Sequence, residues 1–257
     1  MDKWLNQIIC GDNVEVMRQM PDNCIDLTVT SPPYDNLRTY NGFSFNFEEV
    51  AKELYRITKD GGVVVWVVAD ATIKGSETGT SFKQALWFMH CGFNLHDTMI
   101  YAKSSQPRQH NRYEQQFEYM FIFSKGIPKT TNLIRVPSKN AGKTVKRTCR
   151  DNNCDDLKET RNVVSETKIK SNIWEYGTKK NTTGHPAIFP EQLAKDHIIS
   201  WSNPGDLVFD PFSGSGTTAK MALLEGRNYL GVDISEEYCE IARKRVEQAQ
   251  SQQSLFA

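Results

Sequence analysis

Residues 207–219 read LVFDPFSGSGTTA, and this stretch decides the fold. A short apolar run suited to a buried strand ends in an acid at Asp210, a glycine-rich turn follows, and a helix-like pattern begins at Thr217. Glycine is needed at Gly214 and Gly216 because a tight turn demands unusual backbone angles and leaves space for a ligand against the main chain. The stretch therefore predicts a strand–turn–helix unit with a ligand at its turn.

A second acid follows this turn at nucleoside-binding spacing. Asp233 comes nineteen residues after Gly214 and ends the next strand-like segment, where a carboxylate can accept hydrogen bonds from both ribose hydroxyls. Gly214, Gly216 and Ala219 also satisfy the pattern of a dinucleotide site, so NAD competes with S-adenosylmethionine. A carboxylate at Asp210 would repel a pyrophosphate but suits the ammonium of a methionine moiety, which favours S-adenosylmethionine.

The rest of the chain alternates between strand and helix patterns. Short apolar runs predict strands at 7–10, 25–30, 63–68, 94–101, 117–123, 207–210 and 228–232. Helical patterns occupy 13–20, 47–58, 81–90, 191–201, 217–225 and 235–248, and the tail beyond is expected to fray. Continuous apolar strands suit a sheet covered on both faces. The alternation predicts a doubly wound α/β fold with a mostly parallel sheet.

Composition excludes several classes of protein. The chain has 257 residues, 39% hydrophobic and 24% charged, which is the balance of an ordinary globular protein rather than a disordered or fibrous one. The longest apolar run, residues 63–69, is too short to cross a bilayer, and no secretion signal is visible at the N-terminus. Six scattered cysteines without a Cys-x-x-Cys pair fit free thiols. We therefore expect a cytoplasmic protein with no membrane partner and no metal site.

Charge is unevenly distributed although the net charge is zero. Residues 125–180 contain 14 Lys or Arg and 6 Asp or Glu, a local balance of +8, so the remainder carries −8. Seven basic residues and no acid lie within residues 126–150. Such clustering is expected of a surface that faces phosphates, or of a solvated basic loop. The helix and strand periodicity also disappears in this region, which indicates an insertion.

A second motif follows another predicted buried strand. Residues 25–34 read IDLTVTSPPY, and the end of such a strand is where an open α/β sheet places its ligands. Pro33 lacks a backbone donor and holds Ser31 and Pro32 extended, so the Ser31 hydroxyl and the Pro32 carbonyl can present oxygen atoms to one planar amino group. Tyr34 can stack on the ring that carries the amine.

Together, DPFSGSG at 210–216 and TSPPY at 30–34 resemble the motifs of amino-group-specific DNA methyltransferases, which act on the 4-amino group of cytosine or the 6-amino group of adenine. The Pro-Pro-Tyr element precedes the glycine turn, and the basic region lies between them. This order resembles the β arrangement of the family. It implies a circularly permuted, Rossmann-like methyltransferase sheet with an inserted target recognition region.

The resemblance implies a division of the chain and a cofactor site. Residues 1–125 would form the catalytic half, 126–180 the target recognition region and 181–257 the cofactor-binding half. The adenine of the cofactor would lie against CGDN at 10–13, and its methionine part against HPAIFPEQL at 185–193, where Phe189 replaces the usual Lys. Read in isolation, Asp12 is equally a helix N-cap and Pro190 a helix start. The implied cofactor-binding residues are Asp12, Asn13, His185, Pro190, Asp210, Pro211, Phe212, Ser213, Gly214, Gly216, Thr217 and Asp233.

The resemblance also implies DNA as the partner, with the target base flipped out of the duplex at a cost of roughly a few kcal/mol. Ser31, Pro32, Pro33 and Tyr34 would form the catalytic site. In the family, Ser before Pro-Pro-Tyr is commoner among cytosine-N4 enzymes, so cytosine is favoured over adenine. The residues expected to contact DNA are Lys139, Lys143, Lys146, Arg147 and Arg150.

Other readings of the sequence stay open. The same glycine turn would serve an NAD-dependent oxidoreductase, and a methyltransferase fold could bind DNA without turnover. The sequence leaves open whether the protein is a monomer or a homodimer, and whether it works with a companion restriction endonuclease.

Overall fold

The computed structural model describes residues 2–33, 46–103, 112–151, 154–177 and 190–254, with side chains described outside 147–160 and 254. A short 3₁₀ helix spans Asp2–Trp4. The strands are β1 (Gln7–Cys10), β2 (Ile25–Thr30), β3 (Thr58–Val68), β4 (Thr72–Ile73), β5 (Ser76–Glu77), β6 (Asn94–Lys103), β7 (Phe117–Ser124), β8 (Arg135–Pro137), β9 (Thr144–Asp151), β10 (Cys154–Val163), β11 (Thr167–Ile169), β12 (Ile173–Tyr176), β13 (Leu207–Asp210) and β14 (Asn228–Asp233). The α-helices are α1 (Asn13–Arg18), α2 (Phe47–Ile57), α3 (Thr80–His90), α4 (Glu191–Trp201), α5 (Thr217–Leu224) and α6 (Glu236–Ser254).

The chain divides into two compact units, residues 1–132 with 172–257, and residues 133–171. The first unit contains an eight-stranded sheet in the order β1-β14-β13-β2-β3-β7-β6-β12. Only β7 runs antiparallel to its neighbours β3 and β6 in this sheet. The predicted mostly parallel, doubly wound sheet is confirmed, and all seven predicted strands lie in it.

The strand order shows the circular permutation that the sequence resemblance implies. β1 and β2 are consecutive in the chain, yet the last two strands, β13 and β14, lie between them. From β13 the chain proceeds to β14 on one side, whereas from β2 it proceeds to β3 on the other side. Connections therefore diverge between β13 and β2, and such a switch point opens a crevice at the carboxyl ends of the strands, where α/β sheets bind ligands.

Helices cover both faces of the sheet. Ile8 packs in a buried cluster with Ala219 of α5 and Ala242 of α6, whereas its neighbour Ile9 packs against the cluster that includes α1, α2 and α3. Because successive strand residues point to opposite faces, the two helix groups lie on opposite sides. Burial on both sides explains why β3 and β13 have no polar alternation. Each fully buried large side chain, such as Phe209, contributes roughly 1.5–3 kcal/mol to stability.

The second unit consists of antiparallel strand pairs. β9 pairs with β10 and β8 pairs with β11. This unit, 133–171, is shorter than the predicted target recognition region of 126–180. The predicted region extends further at its C-terminal end because it includes β12. That strand pairs in parallel with β6 and so belongs to the eight-stranded sheet. No helix in the described part of the chain is both long and apolar enough to span a membrane.

Candidate active site

A hydrogen bond joins the carboxyl ends of the two central strands. β2 and β13 are paired in parallel, and the Thr30 hydroxyl at the end of β2 donates to Oδ1 of Asp210 at the end of β13, at 2.7 Å. Ser31 and Pro32 follow Thr30 directly, with Pro32 buried and Ser31 half-buried. The structure thus brings the TSPP segment next to Asp210, the last residue of β13 before the glycine-rich turn.

Asp210 is a buried carboxylate, 6% exposed. Burial raises its pKa to about 6, although hydrogen bonds from the Thr30 hydroxyl and the Phe212 amide act in the opposite direction. Both of these donors are neutral. A carboxylate held in this way stabilises a cation placed beside it, such as an ammonium group.

The glycine turn takes a conformation that side chains would prevent. Gly214 and Gly216 have positive φ angles of 48° and 76°. A Cβ at Gly216 would lie 2.6 Å from the Cβ of Ala242 on α6. The Ser213 amide donates to Val232, and its side-chain oxygen is buried with no hydrogen-bond partner among the described residues.

Asp233 is oriented by the turn itself. Its Oδ2 accepts the Gly214 amide at 2.8 Å and its Oδ1 accepts the Ser235 amide at 3.0 Å. Each carboxylate oxygen has a further lone pair, and the side chain is only half-buried. Asp233 can therefore accept hydrogen bonds from a ribose diol, and the residues present fit S-adenosylmethionine.

The CGDN segment reaches the same edge of the sheet. The Gly11 amide donates to the Asp233 carbonyl at 2.9 Å, and Nδ2 of Asn13 donates to the Pro211 carbonyl at 3.1 Å. Asp12 is exposed and caps α1 by accepting the Glu15 amide at 3.0 Å. The N-cap role of Asp12 is therefore observed, and its contact with an adenine stays a prediction.

The remaining predicted cofactor residues are placed as follows. Phe212 is half-buried, with its ring centroid 6.1 Å from that of Trp66, while Pro211 and Thr217 are buried. Pro190 is the N-cap of α4. Tyr34 and His185 lie outside the described residues. No group of metal-ligating side chains occurs in the described ranges.

The residues predicted to contact DNA belong to the second unit. Lys139, Lys143 and Lys146 are exposed there. Arg147 and Arg150 lie in β9, and their side chains are outside the described part. Arg161 of β10 is also exposed and lies opposite Lys146. Arg161 was not among the residues predicted to contact DNA.

Two residues at the site were missed from sequence. Thr30 is the last residue of β2 and the first of TSPPY, but its bond to Asp210 depends on the adjacency of β2 and β13, which the motif does not indicate. Arg245 of α6 donates to both the carbonyl and the hydroxyl of Ser215 in the glycine turn, and nothing in its own sequence neighbourhood indicates that contact.

Comparisons with known proteins agree with this architecture. Residues 25–244 match the N6/N4 methyltransferase family profile, described as DNA methylase. The chain is 59% identical over 237 residues to the orphan methyltransferase M.BamHII of Bacillus amyloliquefaciens, covering 88% of this chain and 89% of that relative. Among solved structures, the cytosine-N4-specific PvuII DNA methyltransferase has a TM-score of 0.73 at 20% identity, covering 95% of this chain and 90% of that one. The M1.HpyAVI complex with S-adenosylmethionine has a TM-score of 0.64 at 22% identity, covering 93% and 98%.

Proposed function

This chain belongs to the N6/N4 DNA methylase family, and from that premise we propose that it transfers a methyl group from S-adenosylmethionine to the exocyclic 4-amino group of cytosine in DNA. The predicted family and cofactor are confirmed, and the NAD-dependent reading is set aside. The same transfer to the 6-amino group of adenine is the second candidate.

The hydrogen bond between Thr30 and Asp210 is the observation that carries the proposal. Thr30 directly precedes Ser31, and Asp210 directly precedes Pro211. The bond between them therefore holds the proposed amine-binding and cofactor-binding segments at one edge of the sheet. Group transfer gains most of its rate when two reactants are held in a fixed relative geometry. The arrangement supports direct transfer between two bound molecules.

Ser31 and Pro32 are proposed to activate the target amine. An exocyclic amine is conjugated with its ring, so its lone pair is poorly available until both N–H groups donate hydrogen bonds that favour a pyramidal nitrogen. The Ser31 hydroxyl and the Pro32 carbonyl would accept those bonds, and the same oxygens would stabilise the positive charge that develops on nitrogen during attack. The cofactor supplies a methyl group activated on a sulfonium. Tyr34 would stack on the flipped base and hold its ring.

The choice of cytosine rests on Ser31. A serine before Pro-Pro-Tyr is commoner in the cytosine-N4 enzymes of the family, and its neutral hydroxyl can accept one N–H of either amine.

The second unit is proposed to recognise DNA. Lys139, Lys143 and Lys146 are exposed in a unit whose described cations outnumber its acids, and Arg147 and Arg150 extend the series along β9. Exposed cations of this density suit contacts with phosphates. The predicted target recognition region, 126–180, includes this unit. M.BamHII is named an orphan methyltransferase, and a companion endonuclease for the present chain stays untested.

Nucleoside analysis tests the proposal. DNA is incubated with the purified protein and S-adenosylmethionine carrying a labelled methyl group, then digested and analysed by mass spectrometry. Labelled N4-methyl-2′-deoxycytidine is expected, and Ser31→Ala run in parallel should reduce it sharply. Labelled N6-methyl-2′-deoxyadenosine instead would overturn the cytosine assignment in favour of the second candidate. No labelled base from any DNA would favour a DNA-binding module without turnover.

A further inference from the structure

The C-terminal helix α6 lies directly behind the glycine turn. Ala242 occupies the space that a side chain at Gly216 would need. Arg245 follows three residues later on the same face of α6, and its side chain is only 15% exposed. The turn therefore meets α6 through a close backbone approach and through one long basic side chain.

The guanidinium of Arg245 contacts two separate segments of chain. Its Nη1 donates to the Ser215 carbonyl at 2.5 Å and to the Ser215 hydroxyl at 2.7 Å. Its Nη2 donates to Oε1 of Glu191 at 2.8 Å. Ser215 belongs to the glycine turn, and Glu191 is the first residue of α4, directly after Pro190. Arginine suits this task because its planar fork serves two acceptors at once.

Glu191 is an ionised anchor for this arrangement. Its partial burial raises the pKa, but Lys220 and Arg245 outweigh that effect and hold the pKa below its usual value. Lys220 donates to the same Oε1 at 2.7 Å. The two cations share one carboxylate oxygen, but it is Arg245 that also holds Ser215.

We propose that Arg245 is a positioning residue that sets the glycine turn against the start of α4 in the geometry that binds S-adenosylmethionine. This inference rests on the cofactor assignment of the proposed function. Without the contacts of Arg245 with Ser215 and Glu191, the glycines of the turn regain other backbone conformations. The cofactor must then order the turn when it binds, which lowers its affinity. Arg245 acts through Ser215 and Glu191, so its loss should weaken cofactor binding more than it slows transfer by the loaded enzyme.

Equilibrium dialysis with labelled S-adenosylmethionine, in the absence of DNA, tests the proposal. Arg245→Met keeps most of the apolar stem and removes the donors, and it should weaken binding roughly tenfold or more. Lys220→Met is the matched control because it removes the other cation from Glu191 without touching Ser215; its affinity should stay within about twofold of the wild type. Lys244→Met, at an exposed position next to Arg245 on the same helix, should behave like that control.

Hydrogen exchange supplies a readout independent of affinity. Amides of residues 213–218 should exchange faster in Arg245→Met than in Lys220→Met, and saturating S-adenosylmethionine should restore their protection. The doubly substituted Glu191→Gln, Arg245→Met variant should bind the cofactor no more weakly than Arg245→Met, because the two residues act through one contact.

Two results would overturn the inference while leaving the proposed function intact: wild-type affinity in Arg245→Met, or an equal loss in Lys220→Met. If Arg245→Met does not fold, Arg245→Lys replaces it, since a lysine can reach one acceptor but cannot span both; wild-type affinity in that variant also contradicts the inference. A wild-type chain that binds no S-adenosylmethionine would instead refute the cofactor assignment on which the proposed function depends.

Discussion

Thr30 and Asp210 are 180 residues apart in the chain, and the hydroxyl of one donates to the carboxylate of the other at 2.7 Å. Both residues are buried, so water does not compete for the bond. The bond joins the carboxyl ends of β2 and β13, and Ser31-Pro32 and Pro211-Phe212 follow directly from the two bonded residues. The position of Ser31 therefore depends on β13.

Replacing Thr30 by Val removes the donor at nearly constant volume. We expect the free energy of unfolding to fall by about 1–3 kcal/mol, because a buried carboxylate loses a hydrogen bond, and kcat to fall as Ser31 loses its fixed position. Urea denaturation and steady-state kinetics measure the two effects. Thr30→Ser keeps the hydroxyl and serves as control; equal stability and kcat in the Val and Ser variants would show that the bond has no such role.

Replacing Asp210 by Asn should change how stability depends on pH. The folded-state pKa of Asp210 is raised from 3.8 to about 6, so the folded protein binds this proton more tightly than the unfolded chain does. That contribution to stability is complete below about pH 4 and is lost as pH rises through about 6. Relative to wild type, Asp210→Asn should therefore gain stability between pH 4 and 7, by on the order of 3 kcal/mol. Thermal unfolding across this range measures it, and a difference that does not vary with pH contradicts the assignment.

Asp233→Ala and Tyr34→Ala should affect different steps. Loss of the Asp233 carboxylate removes the ribose acceptor and the partner of the Gly214 amide, so the Kd for S-adenosylmethionine should rise about 10–100-fold while kcat at saturating cofactor changes less. Tyr34→Ala should lower kcat more than it changes that Kd. Cofactor titration and single-turnover kinetics separate the two quantities, and an equal loss of both in each variant would refute these roles.

The strands and helices around the site were predictable because their burial imposes a pattern. β1, β2 and β13 have the predicted bounds. β2 and β13 are almost wholly buried, whereas β1 is an edge strand in which Ile8 is buried. α6 was predicted to end at 248 but continues to Ser254, because Ala249 is buried and Gln253 donates to the Leu224 carbonyl. Those contacts are tertiary, and the Gln- and Ser-rich sequence does not indicate them.

The second unit could not be predicted in detail for a related reason. Residues 144–146 and 161–163 of its longer strand pair are mostly exposed, so no alternation of polar and apolar residues marks the strands. β12 was not predicted because it lies in the same polar stretch of sequence. The buried Trp174 anchors this strand beside β6. The bonds of Thr30 and Arg245 likewise depend on neighbours that are distant in sequence.

Neutralising cations of the second unit should change the salt dependence of DNA binding. The triple variant Lys139→Gln, Lys143→Gln, Lys146→Gln should flatten the slope of log affinity against log salt by about 0.9 for each DNA phosphate that the variant no longer neutralises. A control of equal charge, Lys52→Gln with Lys195→Gln and Lys244→Gln, changes exposed or half-exposed lysines of the first unit. Fluorescence anisotropy at several salt concentrations measures the slopes, and identical slopes in the two triple variants would argue against this surface.

A crystal structure of the chain with S-adenosylmethionine bound tests the central claim most directly, because it locates the methyl carbon relative to Ser31 and Pro32. We expect the methyl to point toward the Ser31 hydroxyl and the Pro32 carbonyl, leaving room for a single amine nitrogen between them. A methyl that points away from these oxygens, or that protein atoms separate from them, would contradict the account.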